Sequence, residues 1–123
     1  MGGVMAVSCI HQVTTARHHV YITRYRNAGD ACVLHRHARW HLMECKRGRI
    51  TVELWDPDDA GPHALHQLGH LDGYLEVPAG WMHQVTAGQD DCWTACIFDL
   101  FDEEGRLLAD PKADFTPGTE VFS

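Results

Sequence analysis

Basic residues are scarce in this sequence: ten Lys and Arg stand against seventeen Asp and Glu, for a net charge of −7. Binding to a phosphate backbone needs concentrated positive charge, so this balance argues against a nucleic-acid partner. No apolar run reaches the roughly 18 residues of a membrane-spanning helix, and no basic amphipathic stretch suits a membrane surface. Met1 to Ile10 lacks a basic start and a long apolar segment, so it reads as a first strand and not a signal peptide. No CxxC pair occurs among the five cysteines, Cys9, Cys32, Cys45, Cys92 and Cys96. A zinc–thiolate site therefore has no spacing to support it, and the odd count reads as buried, reduced thiols of a cytoplasmic protein. Helical periodicity is almost absent, and so are internal repeats and low-complexity segments.

What remains is a chain of 123 residues, 45% of them hydrophobic. That suits one domain with a core of its own, without disulfide staples. Short runs rich in Val, Ile, Tyr, Trp and Thr are separated by Gly, Asp and Pro, the pattern of an all-β sandwich or barrel. Strands are predicted at Met5 to Val13, Val20 to Arg26 and Cys32 to His37. His41 to Cys45 and Arg49 to Trp55 are predicted to form a hairpin around Lys46-Arg47-Gly48. Asp56 to Pro62 is dense in turn residues and reads as a loop. Further strands are predicted at His63 to Gln67, Tyr74 to Val77, His83 to Ala87 and Trp93 to Asp99. Arg106 to Ala109 is predicted to make a helical turn.

Histidine is in excess: there are ten, scattered through the chain. Side chains alternate along a strand, so His35 and His37 point the same way and aim two imidazoles at one point. If the chain turns at Ala38-Arg39-Trp40, His41 reaches that point too. Three neutral nitrogen donors make an incomplete coordination sphere for a first-row metal. A donor from a distant segment is offered by Pro78-Ala79-Gly80-Trp81-Met82-His83, where Pro and Gly set a tight turn before the histidine. His63, His66 and His70 form another group, whose spacing fits a helix face but whose surroundings lack a helical pattern; they read as surface residues.

The run Gly29, five residues, His35-Arg36-His37, three residues, His41, six residues, Gly48 resembles the first cupin motif. Pro78 to His83 resembles the second, PxGxxH. The resemblance covers residues 20 to 100 and implies a double-stranded β-helix, or jelly-roll, barrel spanning a single domain of residues 1–123. It implies one divalent metal ion (Zn, Fe, Mn, Ni or Cu) inside the barrel, held by His35, His37, His41 and His83. His41 stands where glutamate is usual, as in a four-histidine subgroup. Glu44 is the rival ligand in a slipped register, but three residues along a strand place it on the opposite face. Ala87 stands where the second motif usually ends in Asn, and Asp72-Gly73 displaces a glycine that usually precedes that motif.

Four neutral ligands would leave the ion's double charge uncancelled, favouring an anionic substrate such as an enolate or carboxylate. By alternation, Met43 and Cys45 share a face with His41, Val33 with His35 and His37, and Val85 with His83. Trp40 and Trp81 flank the ligand turns. On the last long strand, Cys96 and Phe98 are expected to face inward; on the second, either Tyr21, Thr23 and Tyr25 or Val20 and Ile22 do so. The expected pocket, with Met43, Cys45, Trp40, Trp81 and Phe98, is apolar and suits a small organic ligand. Two enzyme readings follow, a dioxygenase or a Lewis-acid isomerase, cyclase or lyase. The alternative is a non-catalytic binding or sensing cupin. The resemblance also implies a homodimer.

Overall fold

The computed structural model describes residues 6–58 and 64–108, and the main chain of 116–117. The strands are β1 (Val7–Thr14), β2 (His18–Tyr25), β3 (His35–Arg36), β4 (His41–Arg47) and β5 (Arg49–Trp55). They continue with β6 (Ala64–Gly69), β7 (Tyr74–Val77), β8 (Met82–Ala87), β9 (Cys92–Asp99) and β10 (Thr116–Pro117). The described residues contain no helix, and hence none long and apolar enough to cross a membrane. Two antiparallel five-stranded sheets, ordered β1-β2-β9-β4-β7 and β10-β3-β8-β5-β6, form the jelly-roll arrangement in which the chain passes repeatedly from one sheet to the other.

Alternation explains why these segments become strands of a two-layer fold. In β4, His41, Met43 and Cys45 are buried while Leu42 and Glu44 are only half-buried. In β5, Ile50, Val52 and Leu54 are buried on one face. These faces meet Tyr25, Val77, Val85 and Cys92 in one apolar cluster between the sheets. Burying a side chain the size of Ile50 or Val52 contributes about 2 kcal/mol, so this cluster holds the layers together.

The hairpin expected around Lys46-Arg47-Gly48 does not form. β4 pairs with β7 and β9, whereas β5 pairs with β6 and β8 in the other sheet. A hairpin would place both buried faces on one side of one sheet; folding the chain across the edge sets them against each other. The corner is made by Gly48, at φ +84°, just after a bulge between Cys45 and Arg47. Cys45 Sγ donates to the carbonyls of Arg47 and Gly48, at 3.4 and 3.3 Å.

Other boundaries also move. The segment read as a strand from Cys32 to His37 keeps only His35–Arg36 as ladder. Ala31 makes an isolated bridge to Thr86, and Gln84 Nε2 donates to the Cys32 carbonyl at 2.9 Å. The first strand starts at Val7; Met5 lies outside the described residues, as do His63 and Ala109. The helical turn expected from Arg106 is instead the return of a tight turn. Phe101 bridges Leu107, and the Asp102 carboxylate accepts from the N–H groups of Glu104 and Arg106.

A Cβ added at Gly48 would lie 2.7 Å from Cys92 Sγ, whereas one added at Gly29, also at positive φ (+87°), would meet nothing within 4 Å. Both pay the left-handed backbone cost of about 1 kcal/mol, and only Gly48 adds a clash in the core. Gly29→Ala should therefore destabilise by about 1 kcal/mol and Gly48→Ala by about 2 kcal/mol or more. Urea unfolding of the two variants checks this, and equal losses would contradict the corner assignment.

Candidate metal centre

Each histidine of the site is placed by a different local device. His35 and His83 are direct partners in the β3–β8 ladder. Their rings lie 4.1 Å apart between centroids. His37 follows β3, and its carbonyl accepts from the Gly80 N–H at 2.9 Å, which ties the turn before His83 to the His35-Arg36-His37 segment. That turn is closed by the Trp81 N–H bonding to the Pro78 carbonyl at 3.3 Å. His41 opens β4 in the opposite sheet, paired with Val77. The site thus straddles both layers.

One nitrogen from each of His35, His37 and His83 lies within 4.8 Å of the others. The His41 ring stands beside this trio, its centroid 5.3 Å from His37 and 5.2 Å from His83. Phe98 stacks on His41 at 4.4 Å and meets the edge of His37 at 5.0 Å.

The hydrogen bonds choose the tautomers. A carbonyl only accepts, so His35 Nδ1 donates to Val33 O at 2.6 Å and His83 Nδ1 donates to Trp81 O at 3.1 Å. In each ring this leaves Nε2 with its lone pair outward. His83 Nε2 and both nitrogens of His41 are buried with no hydrogen-bond partner among the described residues. An unsatisfied buried polar atom costs about 1–3 kcal/mol, and a bound ion would relieve His83 Nε2 and the lone-pair nitrogen of His41.

A divalent ion fits this donor set. Metal–nitrogen bonds of about 2.1 Å put two ligands at most about 4.2 Å apart, which small ring rotations of the trio reach. Backbone acceptors behind metal-binding imidazoles are the usual second layer of such sites.

Burial drives the histidines toward the neutral, ligating form. It lowers His35 to about 4, helped by the nearby His37. It lowers His83 to about 3, with His35 adding to the effect. His41 falls to about 2 through burial and then repulsion from His83, His37 and His35.

The trio opens into a cavity of about 390 Å³. Its wall includes Tyr21, Thr23 and Tyr25 of β2, Met43 of β4, Val85 of β8, and Thr94, Cys96 and Phe98 of β9. The inward face of β2 is therefore the Tyr21, Thr23, Tyr25 set, and Cys96 and Phe98 point inward as expected. The remaining sequence-predicted pocket residues lie elsewhere. Cys45 is fully buried in the core cluster, bonded to the Gly48 corner. Trp40 is 41% exposed and Trp81 packs on the core; neither lines the cavity. Both tryptophans flank turns, where alternation does not set direction. Val33 points outward, 55% exposed, and serves the site through its carbonyl.

Glu44 bonds Lys46 at 3.2 Å on the outer face, away from the histidines. His66 lies half-buried on β6 and His70 is exposed beyond it. Cys9 and Cys32 also line the cavity and were not expected there. Cys9 reaches it through a bulge in the β1–β2 register and Cys32 from a loop, neither of which is visible as periodicity.

No protein-family model and no curated protein matches the chain. Solved structures match it in fold. KdgF from a Halomonas species is 17% identical, over 80% of this chain and 83% of its own, with a TM-score of 0.62. A cupin superfamily protein from Desulfitobacterium hafniense is 13% identical, over 73% of this chain and 74% of its own, with a TM-score of 0.57. The capsular polysaccharide assembling protein CapF of Staphylococcus aureus is 16% identical over 83% of this chain, with a TM-score of 0.63. The chain spans only 27% of CapF's length. At these identities the likeness is one of fold: the chain has the all-β, jelly-roll cupin fold.

The lowered histidines set a pH dependence for the metal-free protein. Their folded pKa values lie below the unfolded value of 6.5, so between these values the unfolded chain binds more protons. Stability is then full above pH 6.5 and is lost as pH falls below it. For the well-buried His41 and His83 the loss between pH 7 and pH 5 is about 2 kcal/mol each. Urea unfolding in the presence of chelator should show a steep fall over this range; a flat profile would mean the rings are solvated.

Proposed function

We propose that this cupin-fold protein is a metal-dependent enzyme acting on a small anionic or enolisable organic substrate inside the barrel. The observation that carries the reading is the set of buried ring nitrogens of His41 and His83 that none of the described residues satisfies, beside His35 and His37. His35, His37, His41 and His83 would hold one divalent ion. That ion would supply Lewis acidity toward a substrate oxygen or, if redox-active, oxygen chemistry, and imidazole donors alone suit Zn, Cu, Fe and Ni, with Mn possible.

The chain's own residues do the rest. Val33 O and Trp81 O hold the rings of His35 and His83 in one tautomer. Phe98 covers His41 and keeps water from its face. Burial keeps Cys96 protonated, pushed up to about 12, and raises Tyr25 well above its usual value. These two groups of the wall therefore bring no negative charge at neutral pH.

A second reading rests on a specific feature of the wall. Among the described residues, no Asp, Glu, Lys or Arg lines the cavity, which leaves Tyr21, Tyr25 and the thiols as the acid–base groups of its wall, and burial raises Tyr25, Cys32 and Cys96 away from neutral pH. That favours a binding or sensing module that encloses a small molecule without turning it over. Oxygen uptake or product formation by the metal-loaded protein would decide against it.

Purified without chelators, the protein should carry about one divalent ion per chain by mass spectrometry. His35→Ala should lower occupancy by roughly tenfold or more, as losses of a ligand or its support do. A protein that arrives without metal and takes up none of Mn, Fe, Ni, Cu or Zn would overturn the proposal.

A further inference from the structure

The register between strands sorts the cavity wall into tiers. Phe98, Cys96 and Thr94 lie on the inward face of β9, opposite His19, Tyr21 and Thr23 of β2. On its other side, β9 sets Cys96 against Met43 and Thr94 against Cys45. The tier nearest the histidines is Phe98, stacked on His41. The middle tier is Cys96, Met43 and Tyr21. The far tier is Thr94 and Thr23, where the Tyr25 hydroxyl bonds to Thr94 and Cys32. Two residues along a strand advance about 6.7 Å, so the first and third tiers are about 13 Å apart.

The tiers differ in chemistry. Met43 and Cys96 with Tyr21 make the middle of the cavity soft and polarisable, while Cys9, paired with Thr23, and Cys32, beside the Tyr25 hydroxyl, line its far tier. Sulfur beside a ring is worth about 0.3–1.5 kcal/mol, so this belt suits a flat aromatic or conjugated body. The hydroxyls of Thr23, Thr94 and Tyr25 gather at the far end. With no charged side chain on the described wall, a second ionic group on the ligand would be buried without a counter-charge. A polyhydroxylated sugar would leave its middle hydroxyls facing sulfur and carbon, each unsatisfied.

We infer that the cavity takes an elongated, flat aromatic or conjugated monoanion, its acidic oxygen at the histidines and a neutral hydrogen-bonding group at Thr23 and Thr94. This assignment rests on the histidines holding an ion, and it makes Thr23 and Thr94 specificity determinants for ligand length.

The test uses the full chain loaded with cobalt and four probes: benzoate, para-phenylbenzoate, para-(para-hydroxyphenyl)benzoate and glucuronate. Calorimetry reads affinity and the cobalt absorption bands read contact with the ion. The second ring should tighten binding about tenfold over benzoate by filling the middle tier. The distal hydroxyl should add about fivefold, lost in both Thr94→Val and Thr23→Val, which keep side-chain shape. Glucuronate should bind most weakly.

No gain from the second ring, a hydroxyl gain that survives both valine variants, or glucuronate binding as tightly as the biphenyl acids would overturn the inference. The two layers separate cleanly. The expected ranking without any change in the cobalt bands overturns the placement of the acidic oxygen at the ion, whereas failure of the chain to take up cobalt faults the metal reading. A band shift with a flat ranking faults the tier assignment alone.

Discussion

The pairing of His35 with His83 across β3 and β8 is the contact on which the site depends. β3 is only two residues long, and this one pair is its whole ladder with β8. Through it, two segments separated by more than forty residues of chain set their imidazoles 4.1 Å apart. The bond from Gly80 N–H to the His37 carbonyl repeats the tie one turn further on. The first and second histidine segments are thus joined by main-chain hydrogen bonds, which do not depend on the side chains that do the chemistry.

The opposite sheet supplies the rest. His41 and Phe98 sit on neighbouring β4 and β9, so a stacked aromatic seals the side of the site that the β3–β8 pair leaves open. Burial of this kind has a cost. It places ring nitrogens of His41 and His83 where none of the described residues bonds them, and it drives the rings neutral. Neutral, oriented and unsatisfied imidazole is poor as core packing and well suited as a ligand set. The same burial keeps the Cys32 and Cys96 thiols and the Tyr25 phenol protonated, so these groups bring no charge to the cavity. An ion held by four neutral ligands would then dominate the field in the cavity.

Much of the architecture was legible because strand periodicity is local. The bounds expected for β5 and β7, Arg49–Trp55 and Tyr74–Val77, are those observed. Alternation also placed Met43 on the face of His41, and Phe98 with Cys96, because a strand's parity cannot change without a bulge. It failed where bulges and corners intervene. The step at Gly48 looked like a hairpin because turn residues there are the same for a reversal within a sheet and a crossing between sheets. Trp40 and Trp81 looked like pocket walls because proximity in sequence to a ligand says nothing about direction in a turn.

By itself the sequence determined the all-β class, the order of most strands and the shared face of His35 and His37, since each follows from side-chain alternation along the chain; the set completed by His41 and His83 came from the resemblance to two cupin motifs. Only the tertiary structure decided which sheet each strand joins, that β2 turns Tyr21, Thr23 and Tyr25 inward, and that Cys9 and Cys32 meet the histidines' cavity. Those facts depend on register across strands and on the bulge between Cys9 and His11. Register is set by the packing of both sheets at once, and no single segment carries it.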